Sequence, residues 1–274
     1  MVLQREELQD YVAISALDKP LESRFIVAMR VDGTSYGDAT DRIMSWAKNG
    51  ESRMVCAASV NNVMEARDSN DFLDIMNRAD LITPDGMPLV WGLHLLGVKN
   101  STRTYGPTLT QILLDRAEVA GVPVGFYGGS PQVLEDLLEI TYMRWPELKV
   151  TYAHSPPFRE LTTEERQHEV AEINASGARL LFVGIGTPKQ DRWMESNKNQ
   201  VGAVMLGVGA AFDFIAGVKK QAPSILQRLG LEWLFRLISE PRRLWRRYLV
   251  RNPRFLFLFG LQLVRARLDG RGRA

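Results

Sequence analysis

The chain of 274 residues contains one cysteine, Cys56, and three histidines, His94, His154 and His168. A single cysteine excludes an internal disulfide, and its place in the apolar run MVCAAS reads as a buried structural thiol rather than a nucleophile. The histidines stand apart from one another and from Cys56, so no zinc-type ligand spacing is present. The pattern Asp-x-Asp, through which a divalent metal can hold a sugar nucleotide diphosphate, does not occur either. Full G-x-G-x-x-G spacing and the G-x-x-x-x-G-K phosphate loop are also missing, which argues against nicotinamide-dependent hydride transfer and against ATP hydrolysis. No metal and no cofactor is therefore expected. The first twenty residues are charged throughout and lack the apolar core of a secretory signal, so a cytoplasmic location is expected.

What is present is an alternation. The β-rich runs RFIVAMRV, RMVCAAS, PVGFYGG, LKVTYA, RLLFVGIG and AVMLGVG are separated by segments of helical period. Such alternation predicts an α/β fold of Rossmann-like type, a mostly parallel sheet with helices on both faces and ligands bound where strands end. Helices are expected over PQVLEDLLEITYMRW and from the Thr-Thr-Glu-Glu entry at Thr162. No repeat or linker interrupts residues 22–218, which reads as one catalytic domain behind an N-terminal extension, 1–21.

After Gly217 the pattern changes to helices rich in arginine, a C-terminal appendage over 219–274. Arg228, Arg236, Arg242, Arg243, Arg246, Arg247, Arg251 and Arg254 are opposed within that span only by Glu232 and Glu240, although the formal net charge of the chain is just +2. Guanidinium forks suit diphosphate oxygens. The aromatics among them, from Trp233 to Phe259, suit the headgroup region of a membrane, while FLFLFGLQLV is too short to span one. A solvated arginine face and a basic stripe for single-stranded nucleic acid are the alternatives.

Candidate chemistry sits at strand ends. Asp85 and Gly86 close an apolar run before a helix, where an ionised carboxylate could act as a general base, although Asp-Gly is also a common turn pair. Ser59 and Asn61 could orient a sugar or cap a helix. Gly186, Pro188, Lys189 and Gln190 in FVGIGTPKQDRWM suit phosphate or ribose, and Gly209 and Asp213 in GVGAAFDFIAG suit close approach of a ligand and hydrogen bonding to it.

Taken together, ADLITPDGMPLVW, YGP, FYGG, SPPFRELTTEE, INASGARLLFVGIGTPKQDRWM, GVGAAFDFIAG and RLGLEWLFRLISEPRRLWRRYLVRNPRFL resemble the WecG/TagA/CpsF glycosyltransferases, which include xanthan-type exopolysaccharide glucosyltransferases, over roughly residues 22–263. The resemblance implies metal-independent, inverting transfer from a UDP-sugar to a polyprenyl diphosphate-linked saccharide at the inner membrane surface, with no nucleic acid as partner and self-association as an option. It also implies that Asp85 is the base, that Ser59 and Asn61 belong to the site, and that Arg236, Arg243 and Arg246 complete it over the diphosphate. Gln190 and Asp213 would lie near the nucleotide, with Tyr127 and Gly129 lining the same cleft.

Overall fold

In the computed structural model, residues 20–271 are described, apart from 224, 227 and 228, so the expected N-terminal extension through residue 19 and Arg228 lie outside the described residues. The main sheet contains β3 (Arg53–Ala58), β4 (Leu81–Pro84), β5 (Val124–Gly128), β6 (Val150–His154), β7 (Leu180–Gly184) and β8 (Val204–Gly207). Their spatial order is β4-β3-β8-β7-β5-β6 and every pairing is parallel. This is the Rossmann-like arrangement that the alternation predicts.

Parallel strands covered on both faces need side chains that are apolar on both sides. Strand β7 shows how LLFVG meets that need. Leu180 and Phe182 join one core cluster, while Leu181 and Val183 join the other. On the first side the sheet is covered by α1 (Tyr36–Lys48), α5 (Gly106–Ala120), α6 (Pro131–Arg144) and α9 (Ala211–Ile215). On the second side lie α2 (Val60–Asp68), α3 (Asn70–Arg78), α4 (Met87–Leu95), α7 (Thr163–Ser176) and α8 (Lys189–Asn197). The Thr162 entry forms a capping box: the Glu165 N–H donates to the Thr162 hydroxyl at 3.2 Å and the Thr162 N–H donates to the Glu165 carboxylate at 2.9 Å. Gly128, at φ 126°, ends β5 where a Cβ would lie 2.6 Å from the Gly184 backbone, so strands β5 and β7 can approach here only through glycine.

Two strand expectations need correction. The run RFIVAMRV is not one strand of the main sheet but an antiparallel hairpin, β1 (Ser23–Ile26) and β2 (Met29–Asp32), turning at Val27 with φ 62°. A run of eight apolar-rich residues does not disclose a tight reversal when no glycine or asparagine marks it. Conversely, LITP forms β4, an edge strand of only four residues, all buried. That length is too short to show a period.

The C-terminal arm contains α10 (Glu232–Ser239), α11 (Pro241–Trp245), a π turn (Arg246–Val250) and the long α12 (Arg251–Arg271). Helix α12 lies along α2. Arg251 Nη2 pairs with Glu65 at 2.7 Å and Arg254 with Asp68 at 2.7 Å. The Gln262 side chain accepts from the Val27 N–H at 2.7 Å and donates to the Phe25 carbonyl at 2.6 Å, which ties α12 to the hairpin. Phe255 and Phe259 stack at 5.7 Å and are buried in the second core cluster. The arm is thus packed as core, and Phe255→Ala is expected to cost about 3–5 kcal/mol. Denaturant unfolding should show the entire α/β signal shifting to a lower midpoint, whereas a separately melting arm would leave the main transition unmoved.

Candidate active site

Strand β3 lies between β4 and β8, and the chain leaves it toward β4 before crossing to the other side of the sheet for β5 to β7. That reversal opens a crevice at the carboxyl ends of β4, β3, β8 and β7. Ser59 follows β3, Asp85 follows β4, Gly209 follows β8 and Gly186 follows β7, so four of the expected site segments converge along one edge.

Asp85 is held at the centre of a cleft. Its N–H donates to the Ala58 carbonyl at 2.8 Å, and its Oδ1 accepts from the Gly106 N–H at the start of α5 at 2.7 Å. Burial raises the Asp85 carboxyl above the ordinary carboxylate range, while the Arg103 guanidinium and the Gly106 N–H pull in the opposite direction. Arg103 Nε donates to the Asp85 carbonyl at 2.7 Å, its Nη2 pairs with Glu232, and its guanidinium lies 4.2 Å from the Tyr105 ring centre. These contacts bring α10 of the arm directly over the strand ends.

Ser59, Asn61, Asp85, Gly86 and Arg236 all line this cleft, together with Arg103, Glu232, Trp233, Arg247 and Tyr248. Ser59 Oγ donates to Asn62 Oδ1 at 3.1 Å and accepts from Arg247 Nη2 at 3.3 Å. Asn61 Oδ1 accepts from Arg251 Nη1 at 2.6 Å. Arg236 packs over Phe214 at 5.4 Å with only 18% of its side chain exposed. Burial lowers the affinity of Arg247 for its proton, and its Nε has no hydrogen-bond partner among the described residues. Three guanidinium groups, Arg103, Arg236 and Arg247, thus share the cleft with two carboxylates, Asp85 and Glu232.

The other expected side chains are not in the lining of this cleft. Arg243 pairs with Glu240 at 2.6 Å with its side chain 54% exposed, and Arg246 covers the Trp245 ring at 5.3 Å; neither lines the cleft. Tyr127 is buried, stacked on Trp193 at 4.3 Å and donating to Glu169 at 2.7 Å, so its ring serves the core. Gly129 donates to the Gly184 carbonyl at 3.3 Å. Lys189 is exposed beside Pro188, and Asp213 pairs with Lys219 at 3.3 Å. Gln190 is buried and joins two loops: its Oε1 accepts from the N–H of Gly186 and of Gly209, each at 3.1 Å.

The family model described as "Glycosyl transferase WecG/TagA/CpsF family" matches residues 24–269. The chain belongs to this family. The cleft is therefore the candidate centre of a glycosyltransferase, and the resemblance of the PDG and EWLFR segments has a common location in the structure. Sequence reading passed over Arg103 and Glu232. Arg103 stands two residues before the quoted Tyr-Gly-Pro, and Glu232 counted only as an offset to the arginines around it, although it is their partner. Asn62 was also missed; its amide bridges Ser59 to Thr187, donating to the Thr187 hydroxyl at 3.3 Å.

Asp191, on the first turn of α8, is fully buried beside Cys56 and Thr187, with neither carboxylate oxygen in a well-formed hydrogen bond. Burial pushes it up to about 6. A carboxyl raised above its unfolded value of ~3.9 adds stability that is complete below pH ~4 and lost as pH rises through about 6. Asp191→Asn is therefore expected to gain roughly 2–3 kcal/mol at pH 8 and nothing at pH 4. Thermal melting of both proteins across that range checks the sign, and equal melting curves at pH 8 would contradict it.

Proposed function

We propose that the protein transfers a sugar, with inversion and without a metal ion, from a UDP-sugar to a polyprenyl diphosphate-linked saccharide. The observation that carries this reading is one desolvated carboxylate, Asp85, facing three buried or half-buried guanidinium groups in a single cleft at the strand reversal. The family supplies the reaction class, and its resemblance supplies the UDP and polyprenyl classes.

In this reading Asp85 takes the proton of an acceptor hydroxyl as that oxygen attacks the anomeric carbon of the donor. The bond from that carbon to the diphosphate breaks, and the electron pair leaves with the diphosphate. A base held above the ordinary carboxylate range accepts a proton more readily near neutral pH. Charge grows on the leaving oxygens as the bond breaks, and Arg236 and Arg247 supply fixed positive charge where water is excluded. The arginines take the part that a divalent cation plays at Asp-x-Asp sites.

The acceptor class agrees with the outer face of the arm. Leu256, Phe257, Leu261, Val264 and Leu268 of α12 are exposed, as are Trp91 and Leu95 of α4 and Ile238 of α10. Among the described residues no helix is long and apolar enough to cross a membrane. Such a surface, with arginines beside it, suits attachment to the cytoplasmic face of an anionic bilayer, bringing a lipid-linked acceptor to the cleft.

Purified protein incubated with a panel of UDP-sugars and a polyprenyl diphosphate-linked sugar, chelator present, should release UDP and form extended glycolipid with one donor. Asp85→Asn should lower turnover by about 10²–10⁴ with the fold retained. Wild-type turnover in the folded Asp85→Asn variant would make Asp85 structural.

The arginines separate by position. Arg236→Ala should lose about 10²–10³ in kcat, whereas Arg243→Ala should lose far less because Arg243 lies outside the cleft lining. Equal losses in the two variants would place the working guanidinium differently.

A further inference from the structure

Glu232 is a charged side chain of the cleft to which the proposed chemistry gives no part. It lies on the first turn of α10 with 13% of its side chain exposed. One carboxylate oxygen is paired with Arg103 Nη2, and the other lies 4.0 Å from Arg236 Nη1. Both guanidinium groups are themselves largely buried, at 16% and 18% exposure. The other charged and titratable groups around it are Asp85, Tyr105, Arg247 and Tyr248. Their arrangement is that of a carboxylate seated between two cations in a cleft where a diphosphate is expected to be neutralised.

A guanidinium N–H that donates to Glu232 cannot at the same time donate in full to a phosphate oxygen. Two anions crowded onto the same cations also repel each other, more strongly at low exposure than in bulk water. We propose that Glu232 is an internal competitor for the donor's diphosphate: it keeps Arg103 and Arg236 in place over the strand ends and must release them as the diphosphate binds. Glu232 then acts as a positioning residue. It preorganises cations that would otherwise repel each other, and it limits how tightly the product nucleoside diphosphate is held. The same exchange loosens the contact that fixes α10 to the loop before α5, so occupancy of the cleft is coupled to the seating of the arm.

This inference rests on the donor reading given above, and its test separates the two. The probes are UDP and inorganic pyrophosphate, titrated calorimetrically into wild type, Glu232→Gln and Glu232→Asp at low and high salt, with thermal melting as the check on folding. Glu232→Gln removes the competing charge and retains the shape, so UDP should bind about tenfold more tightly, as for one charge-assisted hydrogen bond removed from the competition. The gain should shrink at high salt, and product release should slow, so that KM for the donor and kcat fall together. Glu232→Asp, shorter but still charged, should give a smaller gain. It carries the same test if the glutamine variant does not fold.

If wild type binds UDP and both folded variants bind it equally or less tightly, Glu232 is a brace and the competition is wrong. If neither UDP nor pyrophosphate binds wild type or variants, the donor reading itself fails, and this inference fails with it.

Discussion

The arm can cover the strand ends only because its arginines find acceptors there. A guanidinium leaving water loses several kcal/mol of hydration unless its donors are satisfied. In this fold Arg247 of the arm donates to the Ser59 hydroxyl and Arg251 to Asn61 and Glu65, while Arg103, from the loop before α5, donates to the Asp85 carbonyl and to Glu232 of the arm. The acceptors come from three places: the strand-end loops after β3 and β4, the exposed flank of α2, and α10 of the arm itself. Without that set the arm would bury guanidinium groups with no acceptor. Phe255 and Phe259 add apolar burial at the far end, and Gln262 fixes the register against the hairpin.

The fold was legible wherever apolar residues ran continuously between helical segments. Five of the six expected strands appear in the parallel sheet, and those buried on both faces, such as LLFVG, have no polar interruption to confuse the reading. The exceptions have physical causes. The first run folds on itself at Val27, a β-branched residue at positive φ that no turn signal announces, and β4 is too short to carry a pattern. At the site, Asp85, Ser59 and Asn61 could be placed because strand ends in such sheets face ligands. Arg103 and Glu232 could not. Their meeting depends on contact across 129 residues, between a loop and the arm, and a charge count along the chain cannot distinguish a cation facing solvent from one facing a carboxylate.

The same limitation explains which expected residues separate from the cleft. Arg236, Arg243 and Arg246 lie within one arginine-rich stretch, yet α11 and the π turn rotate them into different surroundings. Arg236 and Arg247 face inward, while Arg243 and Arg246 settle on Glu240 and Trp245. Gln190 shows the converse. Its motif suggested nucleotide contact, and its side chain holds the loops after β7 and β8 together through two backbone N–H groups. It governs the shape of the crevice whether or not a ligand touches it.

Asp85 and Asp191 are both raised by desolvation, and the contrast lies in their partners. Desolvation raises Asp85, against which a backbone N–H, a nearby guanidinium and the amino ends of α4 and α5 favour its charge. Asp191 lies under the same crevice without comparable partners, and burial pushes it up to about 6. Its neighbours Thr187, Gln190 and Cys56 connect the loop after β7 to β3, and Asn62 carries the connection onward from Thr187 to Ser59 at the cleft. Polar atoms under an active cleft restrict the rotamers of those above them, because each has few partners to choose from. Ser59 is thereby held through Asn62 to the loop after β7 on one side and through Arg247 to the arm that closes the cleft on the other.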